Sequence, residues 1–518
     1  MNSLLSISLF LAHCAIHPAN GQDIFHPNYY ASEDVITRDV AVIGGGSSGT
    51  YGAINLRRRG QSVVLVEKEA VLGGHTNTFT DPATGTAIDY GVQAYWNISV
   101  TRDYLAYLGV PTTQYTGDAR TDIYADFQTG ARVAVNSSSN YTAYIQQLQK
   151  YPYLEYSWDL PDPVPEDLLL PFSEFLEKYK LEDIAYNVYY GAQGLSNVLD
   201  QLTVNVFKIF DGSFIDALYG GDVKGLHTNG EIYTRAAARL GADVLLSSQV
   251  VAASRPDNGT GVRLVVQTPT GHKLIMASKL LVSIPPLLEN MQPFDLTERE
   301  RDLFSRWKFS AYYTMLVNNT GLPSGYRFRN ANADTMANIP HLPAPYQVTE
   351  TKIPGIFYIW YGSPYATKET AVQADVVDVI RRLRSTIDAK TTTCVPQFVA
   401  FNSHTPFKLV VDAEAIRGGF YGAVAALQGY RNTLVYGSGG DLAQFCDFVE
   451  LHGGVATGDE PMRIHMGVDM PGVKDALGMT GASPPTSLSI INRARVLSIR
   501  RDREYDLTSS LVRGMMMI

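Results

Sequence analysis

Three glycines stand in the spacing G-x-G-x-x-G directly after a short apolar run. Gly44 permits a sharp turn, Gly46 lets the backbone approach a pyrophosphate, and Gly49 lets a following helix pack closely on the preceding strand. The free N–H groups and the positive dipole end of that helix favour phosphate oxygens. The spacing therefore predicts a phosphate-binding turn, with Ser47 and Ser48 at the helix start that faces the phosphates.

Glu67 stands where a dinucleotide site needs an acid. It follows the apolar run 62–66, where a carboxylate can accept both hydroxyls of an adenosine ribose and disfavours a 2′-phosphate. A helix is expected from about Ser48 to Arg59, with Gly60 ending it. A glycine-rich turn alone is weak evidence, since such turns are common without a ligand. The coincidence of strand, turn, helix and acid predicts a dinucleotide-binding βαβ unit.

The segments after Glu67 distinguish a flavin from a nicotinamide. The pair Gly73-Gly74 precedes His75, and the segment 89–96 reads Asp-Tyr-Gly-Val-Gln-Ala-Tyr-Trp. This arrangement resembles the flavin-containing amine oxidase superfamily, whose members carry Gly-Gly-Arg and then an acid-x-Gly segment that runs under the flavin ring. Here a histidine replaces the arginine.

The resemblance implies FAD as the cofactor. In these segments it implies contacts with FAD from Lys68, Gly74, His75, Gly91, Val92 and Gln93. By analogy with the arginine that it replaces, His75 contacts a phosphate or the ribityl chain. A covalent histidyl link to the flavin is the alternative.

Two further stretches extend the resemblance. The stretch 241–250 contains Val250, whose counterpart in the superfamily meets the adenine, and a later apolar strand ends in Pro-Pro. The stretch 432–437 is similar to the strand that closes the flavin site, with Gly437 as its glycine. The His-for-Arg change and the Phe- and Tyr-rich middle of the chain most resemble the β-cyclopiazonate dehydrogenase family of fungal flavoproteins. Those enzymes oxidise natural products and can couple oxidation to ring closure.

The resemblance also implies the fold class, which is α/β: a Rossmann-like FAD-binding domain of the amine oxidase and glutathione-reductase-like type, interleaved with an α+β substrate domain. A chain of 518 residues is long for one core, so two domains are the natural expectation. The expected division is a signal peptide at 1–21, an FAD-binding domain at 37–100, 225–290 and 415–458, a substrate domain at 101–224 and 291–414, and an atypical, poorly ordered tail at 459–518.

The substrate domain is expected to cover the flavin with aromatic side chains. Residues 151–219 are rich in Tyr and Phe, and helical spacing of apolar residues predicts one helix over 168–179. Its apolar stripe consists of Phe172, Phe175, Leu176 and Tyr179. Such a stripe is more often core than ligand wall. As a region, though, an aromatic cap over a flavin suits a flat, apolar substrate.

Residues 300–430 are predicted to form strands. In the first, 309–317, partial alternation points one set of side chains at the flavin and the other at a helix layer. Many amine oxidases have a lysine on this strand that holds a water near flavin N5. The corresponding position here is Tyr313 or Thr314, and Lys308 fits a surface residue better. This departure argues against a simple primary-amine oxidase.

The composition limits the partners of the protein. A net charge of −9 argues against nucleic acid, which needs a basic face to displace counterions. The three cysteines, Cys14, Cys394 and Cys446, have no metal-ligand spacing. We therefore predict neither a zinc nor an iron–sulfur site.

The N-terminal residues predict secretion. The apolar run 4–12 is too short to span a bilayer, and the small residues in 19–21 suit a cleavage site; a buried strand is the alternative. We expect a protein of the secretory pathway, secreted or held in a secretory or vacuolar lumen, with no membrane span in the mature chain. Sequons that fit a glycoprotein stand at Asn97, Asn136, Asn140, Asn258 and Asn318. Of these, Asn97 adjoins the flavin segment and is expected to be buried.

Together these features predict an FAD-dependent oxidoreductase, either a dehydrogenase or an oxidase, of secondary metabolism. We expect hydride to pass from a bulky, apolar amine- or indole-type natural product to flavin N5, with ring closure as a further option. Molecular oxygen is the expected electron acceptor. The sequence assigns no catalytic side chain. The alternatives are a polyamine or amine oxidase and a non-catalytic binding protein built on the flavin fold.

Overall fold

The computed structural model describes residues 23–115, 120–154, 157–218, 222–387 and 393–435. The predicted signal peptide at 1–21, Gly437 and the predicted tail at 459–518 lie outside these ranges. In the described part of the chain, no helix is both long and apolar enough to cross a bilayer.

The described strands form two large sheets and several two-stranded ribbons. In chain order they are β1 (Val35–Ile43), β2 (Val63–Val66), β3 (Thr78–Thr80), β4 (Ala87–Asp89), β5 (Thr112–Gln114), β6 (Thr121–Ala125), β7 (Val223–Gly225), β8 (Val244–Leu245), β9 (Gln249–Ser254), β10 (Val262–Thr268), β11 (Gly271–Val282), β12 (Lys308–Phe309), β13 (Ala311–Asn318), β14 (Tyr326–Asn330), β15 (Ala344–Glu350), β16 (Phe357–Ser363), β17 (Gln397–Ser403), β18 (Leu409–Val410) and β19 (Thr433–Val435).

Helices connect and cover these sheets. In chain order the α-helices of the described ranges are α1 (Ser47–Arg58), α2 (Ser99–Leu108), α3 (Thr142–Leu148), α4 (Glu166–Leu169), α5 (Phe172–Tyr179), α6 (Ala185–Gly191), α7 (Thr203–Phe207), α8 (Gly212–Leu218), α9 (Gly230–Leu240), α10 (Leu288–Met291), α11 (Glu298–Ser305), α12 (Glu369–Thr386), α13 (Ala413–Arg417) and α14 (Phe420–Ala425).

The first sheet has the strand order β8-β2-β1-β11-β10-β9, and β19 also pairs with β11. β2, β1, β11 and β19 run parallel. The segments 40–43 and 63–66 are apolar and buried, as expected for parallel strands that are covered on both faces. Strands from distant stretches of the chain thus build one sheet. Nucleotides bind such open α/β sheets at the carboxyl ends of the strands.

The second sheet has the order β17-β13-β16-β15-β14-β6 and lies between α12 and a layer that contains α6. Tyr313 and Met315 of β13 share an apolar core with Val376 of α12. On the opposite face, Tyr312 belongs to a core that contains Tyr189 of α6. The two faces of β13 therefore meet different layers, as its alternation predicts. The region 300–430, predicted as strands, also contains α11 to α14, because stretches such as α12 have helical rather than strand periodicity.

The single helix predicted over 168–179 is wrong, because the chain forms α4 and α5 there. Pro171 has no N–H to donate, and Leu170 before it is extended, with a ψ of 145°. Within the predicted stripe, Phe172, Phe175 and Leu176 are buried, whereas Tyr179 is half-buried.

The expectation that Asn97 is buried is also wrong. Asn97 is exposed, and its side-chain oxygen accepts a hydrogen bond from Arg102 at 2.9 Å. The residue precedes α2 at the surface, so its position beside the flavin segment in the sequence does not make it part of the core.

Candidate active site

The turn between β1 and α1 begins at Gly44, whose φ of +103° lies in the region that favours glycine. Gly46 is the N-cap of α1, which begins at Ser47 rather than at about Ser48. The N–H of Thr50 donates back to the carbonyl of Gly46 at 3.0 Å. The N–H groups that precede Thr50 belong to the first helical turn, which has no acceptors of its own within the helix, so they suit phosphate oxygens.

The later glycines of the fingerprint have different surroundings. A Cβ added to Gly49 would lie 1.9 Å from the carbonyl oxygen of Gly44, so α1 could not pack against the turn. A Cβ added to Gly46 would meet the Cα of Gly74 at 3.7 Å, an ordinary contact. The backbone at Gly46 is therefore open to a ligand, and this arrangement fits the pyrophosphate of a dinucleotide.

Glu67 lies beside the turn and is 7% exposed. Its Oε2 accepts the N–H of Gly45 at 2.5 Å, and its Oε1 accepts the N–H of Glu69 at 2.8 Å. An ionised carboxylate offers about four acceptor positions, so Glu67 retains capacity for ribose hydroxyls. Lys68 instead extends into solvent, where its ammonium lies 3.9 Å from the carboxylate of Glu69.

The segment around His75 is held between the turn and the segment that begins at Gly91. A Cβ on Gly74 would lie 2.9 Å from the Cα of Gly46, and a Cβ on Gly91 would lie 2.0 Å from the carbonyl oxygen of His75. Both positions therefore need glycine for close backbone contact. This packing brings two of the predicted flavin segments together.

Val92 and Gln93 hold the second of these segments in place. The N–H of Val92 donates to the carbonyl of His75 at 3.1 Å, and its own carbonyl accepts from the side chain of Asn229 at 2.9 Å. The side-chain amide of Gln93 donates to the carbonyl of Asp89 at 2.6 Å. The side chain of Gln93 thus stabilises the conformation of its own loop.

Val250, the predicted adenine contact, is buried on β9 and pairs with Val266 of β10. The chain that leads to it runs beside Glu67. The N–H of Glu67 donates to the carbonyl of Leu245, and the N–H of Ser248 donates to the carbonyl of Glu67, both at 2.9 Å. The predicted adenine contact and the predicted ribose acid therefore lie on adjoining segments.

Sequence reasoning missed a tyrosine pair at the start of α1. The hydroxyl of Ser47 lies 2.6 Å from that of Tyr233, which lies 3.1 Å from that of Tyr95. Burial raises the pKa of Tyr95 well above its usual value, so this hydroxyl stays protonated. Tyr95 stands in the segment 89–96 and could have been singled out there. Nothing in the sequence marks Tyr233.

Known proteins share these features. Residues 42–108 match the family described as an NAD(P)-binding Rossmann-like domain. The chain is 42% identical to the FAD-dependent oxidoreductase pigF of Monascus ruber, over 86% of this chain and 95% of that protein. It is 34% identical to β-cyclopiazonate dehydrogenase of Aspergillus oryzae, over 79% of this chain and 90% of that protein. The chain belongs to this family of fungal FAD-dependent oxidoreductases.

Solved structures resemble the oxidoreductase in fold. A CLA-producing fatty acid isomerase from P. acnes has a TM-score of 0.64 at 17% identity, and the match covers 82% of this chain and all of that one. Putrescine oxidase bound to putrescine has a TM-score of 0.57 at 16% identity, with 80% of this chain and 97% of that one covered. The predicted resemblance to the β-cyclopiazonate dehydrogenase family, the α/β Rossmann-like fold class, the oxidoreductase activity and the FAD cofactor are confirmed.

The residues of the turn fit FAD. The open backbone at Gly46 and the first N–H groups of α1 would hold its pyrophosphate, and Glu67 would hold its ribose. The segments that contain His75 and Gly91 would then lie along the ribityl chain and the ring.

A second histidine, His404, joins the site of the oxidoreductase from the far end of the chain. Its ring is stacked on that of His75, with centroids 4.3 Å apart. Its Nε2 lies 2.7 Å from the side-chain oxygen of Asn77. That oxygen can only accept, so His404 carries its proton on Nε2 and its Nδ1 is an acceptor. Within the described residues, this Nδ1 has no hydrogen-bond partner.

Tyr313 and Thr314, the two candidates for the lysine position of amine oxidases, lie on opposite faces of β13. The hydroxyl of Tyr313 donates to the carbonyl of Thr367 at 2.9 Å, on the α12 side of the sheet. Thr314 therefore faces the opposite layer with Tyr312, and it is fully buried. Lys308 is exposed and lies 3.2 Å from Asp412, so it is not the missing lysine.

Proposed function

We propose that this oxidoreductase takes a hydride from a C–H bond next to nitrogen, or benzylic to an indole-like ring, in a bulky, apolar natural product of secondary metabolism. The observation that carries the proposal is a continuous series of aromatic rings that starts at His75. Phe407 lies 5.6 Å from His75 and 4.9 Å from Tyr312 between ring centroids. Tyr346 then lies 6.1 Å from Tyr312 and 5.2 Å from Tyr189. Such a wall suits a flat, apolar substrate.

The charges on the same layer oppose a polyamine substrate. Among the described residues of the second sheet's strands, Asp122 is the acid on the face that carries Tyr312, and it lies 3.3 Å from Arg327 and 3.1 Å from Arg329. A polyamine needs carboxylates along its length to match its charges. Here the acid is already paired with Arg327 and Arg329, so it offers no free carboxylate to a cationic chain.

These contacts indicate separate roles for FAD and for the protein side chains in the reaction. FAD, when bound, supplies the hydride acceptor at N5. The aromatic wall would hold the substrate ring, and Thr314, in place of the lysine of many amine oxidases, presents a small neutral hydroxyl. Overall the substrate loses two electrons and two protons. Where it contains an internal nucleophile, that group adds to the oxidised carbon and closes a ring.

We propose molecular oxygen as the acceptor of the two electrons and two protons, which yields hydrogen peroxide. The dinucleotide fingerprint at 40–49 is used by FAD, and oxygen needs no second nucleotide site.

We also propose that the protein enters the secretory pathway. The apolar run 4–12 supports this, as do the exposed sequons at Asn97, Asn136, Asn140 and Asn258. Loss of mass on endoglycosidase treatment of the secreted protein would test it.

The substrate class is tested without oxygen. The purified flavoprotein is mixed with spermine and, separately, with a tetrahydro-β-carboline, which carries a C–H bond next to nitrogen and attached to an indole ring. We expect the flavin absorption band to bleach with the β-carboline and to persist with spermine, while free FAD bleaches with neither. Rapid bleaching by spermine and none by the heteroaromatic amine would assign the chain to the polyamine oxidases instead.

A further inference from the structure

A short three-stranded ladder runs from the flavin segment, which is 89–96, to β5. Tyr95 forms an antiparallel bridge with the first residue of β7, in which the two residues exchange hydrogen bonds of 2.8 and 2.9 Å. On its other side β7 pairs with β5, and the N–H of Tyr115 donates to the carbonyl of Asp222 at 3.0 Å. Residues that lie opposite each other in such a ladder have their side chains on one face. This register therefore places the side chain of Asp222 between those of Trp96 and Tyr115.

The face of the ladder that carries Asp222 is separate from the phosphate side of the site. Tyr95 lies on the opposite face, where it belongs to the core around α1 and α9. Ala94 and Trp96 instead form a small apolar cluster with Tyr115 and with α8. Trp96 and Tyr115 are both half-buried, so the described chain leaves this face partly open.

Two buried polar groups on this face lack partners. Asp222 is 2% exposed. Among the described atoms, both of its carboxylate oxygens are without a hydrogen-bond donor, and the Nε1 of Trp96 is without an acceptor. Buried polar groups are almost always hydrogen-bonded, because leaving a buried carboxylate unpaired costs free energy. The carboxylate therefore indicates a ligand that supplies an N–H or O–H group, and Trp96 offers its own N–H to an acceptor on the same ligand.

The environment of Asp222 suits a proton acceptor. Burial raises the pKa of Asp222 to about 7, and no charge on a described residue contributes to that shift. The titratable side chains of the neighbouring elements are Tyr115 after β5, Lys224 on β7 and Asp216 on α8, where Asp216 is exposed and the ammonium of Lys224 lies 6.0 Å from the ring of Tyr115. A general base is most effective when its pKa is close to the pH at which the enzyme works.

We propose that Asp222 is a catalytic residue of the oxidoreductase, which binds the reacting nitrogen of an amine substrate and accepts a proton from it. The proposal rests on the proposed function, in which the C–H bond that breaks lies next to nitrogen. Asp222 and Ala94 are diagonal neighbours across the ladder, a separation of about 7–8 Å. Because the flavin segment would lie along the flavin ring, a substrate over Ala94 can place its nitrogen at Asp222 and its C–H bond at the flavin.

The proposed step is balanced in atoms and electrons. The substrate binds as an ammonium ion, and one N–H proton passes to the carboxylate of Asp222. The neutral amine then loses hydride from the adjacent carbon to FAD, so that a C–H bond breaks and a C=N bond forms. The substrate is oxidised by two electrons and FAD is reduced. A single carboxylate matches a single cationic nitrogen, which suits a bulky monoamine better than a polyamine.

The test follows anaerobic bleaching of the flavin by a tetrahydro-β-carboline, below saturation, from about pH 5.5 to 8.5 in the wild type and in Asp222→Asn. Both proteins meet the same ionisation of the substrate, so the ratio of the two rates reports on Asp222. We expect the ratio to rise about tenfold per pH unit below pH 7 and to level off above it at about 100-fold or more, the usual effect of a general base.

Binding provides a second measurement, which needs no variant and no turnover. Tryptamine is an ammonium ion over this pH range and is titrated while the perturbation of the flavin absorption band is followed. We expect its affinity for the wild type to rise about tenfold between pH 6 and 8, as Asp222 ionises. In Trp96→Phe, which retains a ring but loses the N–H, the rise with pH should persist.

Asp375→Asn is the matched control. Asp375, on α12, is also an acid whose pKa is raised by burial, but it is hydrogen-bonded to Tyr361. Its replacement should change neither the bleaching rate nor the pH dependence. The melting temperature of Asp222→Asn at pH 8 should equal or exceed that of the wild type, because the amide removes a buried charge.

The outcomes separate the two proposals. A bleaching rate in Asp222→Asn within about twofold of the wild type at pH 8, or a tryptamine affinity that does not change with pH, overturns the role of Asp222. If spermine bleaches the wild-type flavin and the β-carboline does not, the proposed substrate class fails, and the same comparison with spermine decides the role of Asp222. If no amine bleaches or perturbs the flavin, both proposals fail.

Discussion

The imidazole rings of His75 and His404 are stacked at 4.3 Å with their planes 11° apart. His75 belongs to a flavin segment, whereas His404 directly follows β17 of the second sheet, so the contact joins the two parts of the active site. Burial, which is the largest cause, and the positive charges of Lys408 and Lys68 together lower the pKa of His75 to about 4. Burial also lowers the pKa of His404, as does the neighbouring His75. The stack is thus a contact between neutral rings at neutral pH.

This pair should make the fold sensitive to acid. A histidine whose pKa is about 4 in the folded state and about 6.5 when unfolded takes up its proton first in the unfolded state. Its contribution to stability is complete above pH 6.5 and is lost as the pH falls toward 4. For His75 alone we expect a loss of about 3 kcal/mol over that window. Urea unfolding between pH 4 and 7 measures it.

His75→Phe is the matched control, since phenylalanine retains a ring for stacking but cannot be protonated. Its unfolding free energy should fall less steeply between pH 6.5 and 4 than that of the wild type. Parallel curves for the two proteins would show that the His75 pKa is not lowered.

Two glycines of the turn should respond differently to alanine. A Cβ at Gly46 meets the Cα of Gly74 at 3.7 Å, whereas a Cβ at Gly49 would lie 1.9 Å from the carbonyl oxygen of Gly44. We therefore expect Gly46→Ala to fold with a melting temperature near that of the wild-type apoprotein but to bind FAD poorly, because its methyl group occupies the approach of the pyrophosphate. Gly49→Ala should lose both stability and FAD.

Thermal unfolding with and without added FAD measures the stability of each variant. The flavin released on denaturation measures its FAD occupancy. Full FAD occupancy in Gly46→Ala would contradict the pyrophosphate assignment. Normal stability in Gly49→Ala would contradict the packing of α1 on the turn.

Glu67 should be required for FAD affinity and, to a smaller extent, for the turn itself. Glu67→Ala removes the proposed ribose acceptor and leaves the N–H groups of Gly45 and Glu69 without their partner. We expect FAD affinity to fall by about tenfold or more, since each charge-assisted bond contributes roughly 1.5–3 kcal/mol. Titration of the apoprotein with FAD measures the loss. Glu69→Ala is the control, because Glu69 contacts Glu67 through its backbone N–H and not through its side chain. An unchanged FAD affinity in Glu67→Ala would contradict the assignment of Glu67 to the ribose.

The sequence predicted those parts of the site that depend on local backbone sterics. The glycine turn, the helix after it and the position of Glu67 at the end of β2 could be predicted directly, because a turn beside a phosphate restricts the residue types that fit. His404 and Tyr233 could not, because their neighbours come from distant parts of the chain and depend on sheet register. Apolar periodicity does not reveal the break at Pro171, although the sequence contains its cause, the missing N–H of proline.

Tyr313 and Thr314 are adjacent on β13, and their side chains lie on opposite faces of the sheet. Sequence alone left Tyr313 and Thr314 as alternatives, and the contact of Tyr313 with Thr367 resolves them. Because the Thr314 hydroxyl has no partner within the described residues, Thr314→Val should leave the melting temperature unchanged or slightly raised.

If that hydroxyl contacts the substrate, Thr314→Val should slow anaerobic bleaching of the flavin by a bulky heteroaromatic amine about tenfold, the effect of losing one hydrogen bond of about 1.4 kcal/mol. Tyr313→Phe is its counterpart on the other face. It loses two hydrogen bonds with the backbone of Thr367 and should cost about 1–3 kcal/mol of unfolding free energy without changing the bleaching rate. Stopped-flow absorbance and urea unfolding on the same preparations measure both effects. A slower reaction in Tyr313→Phe with a normal rate in Thr314→Val would show that the α12 face of the sheet, rather than the face that carries Thr314, meets the substrate.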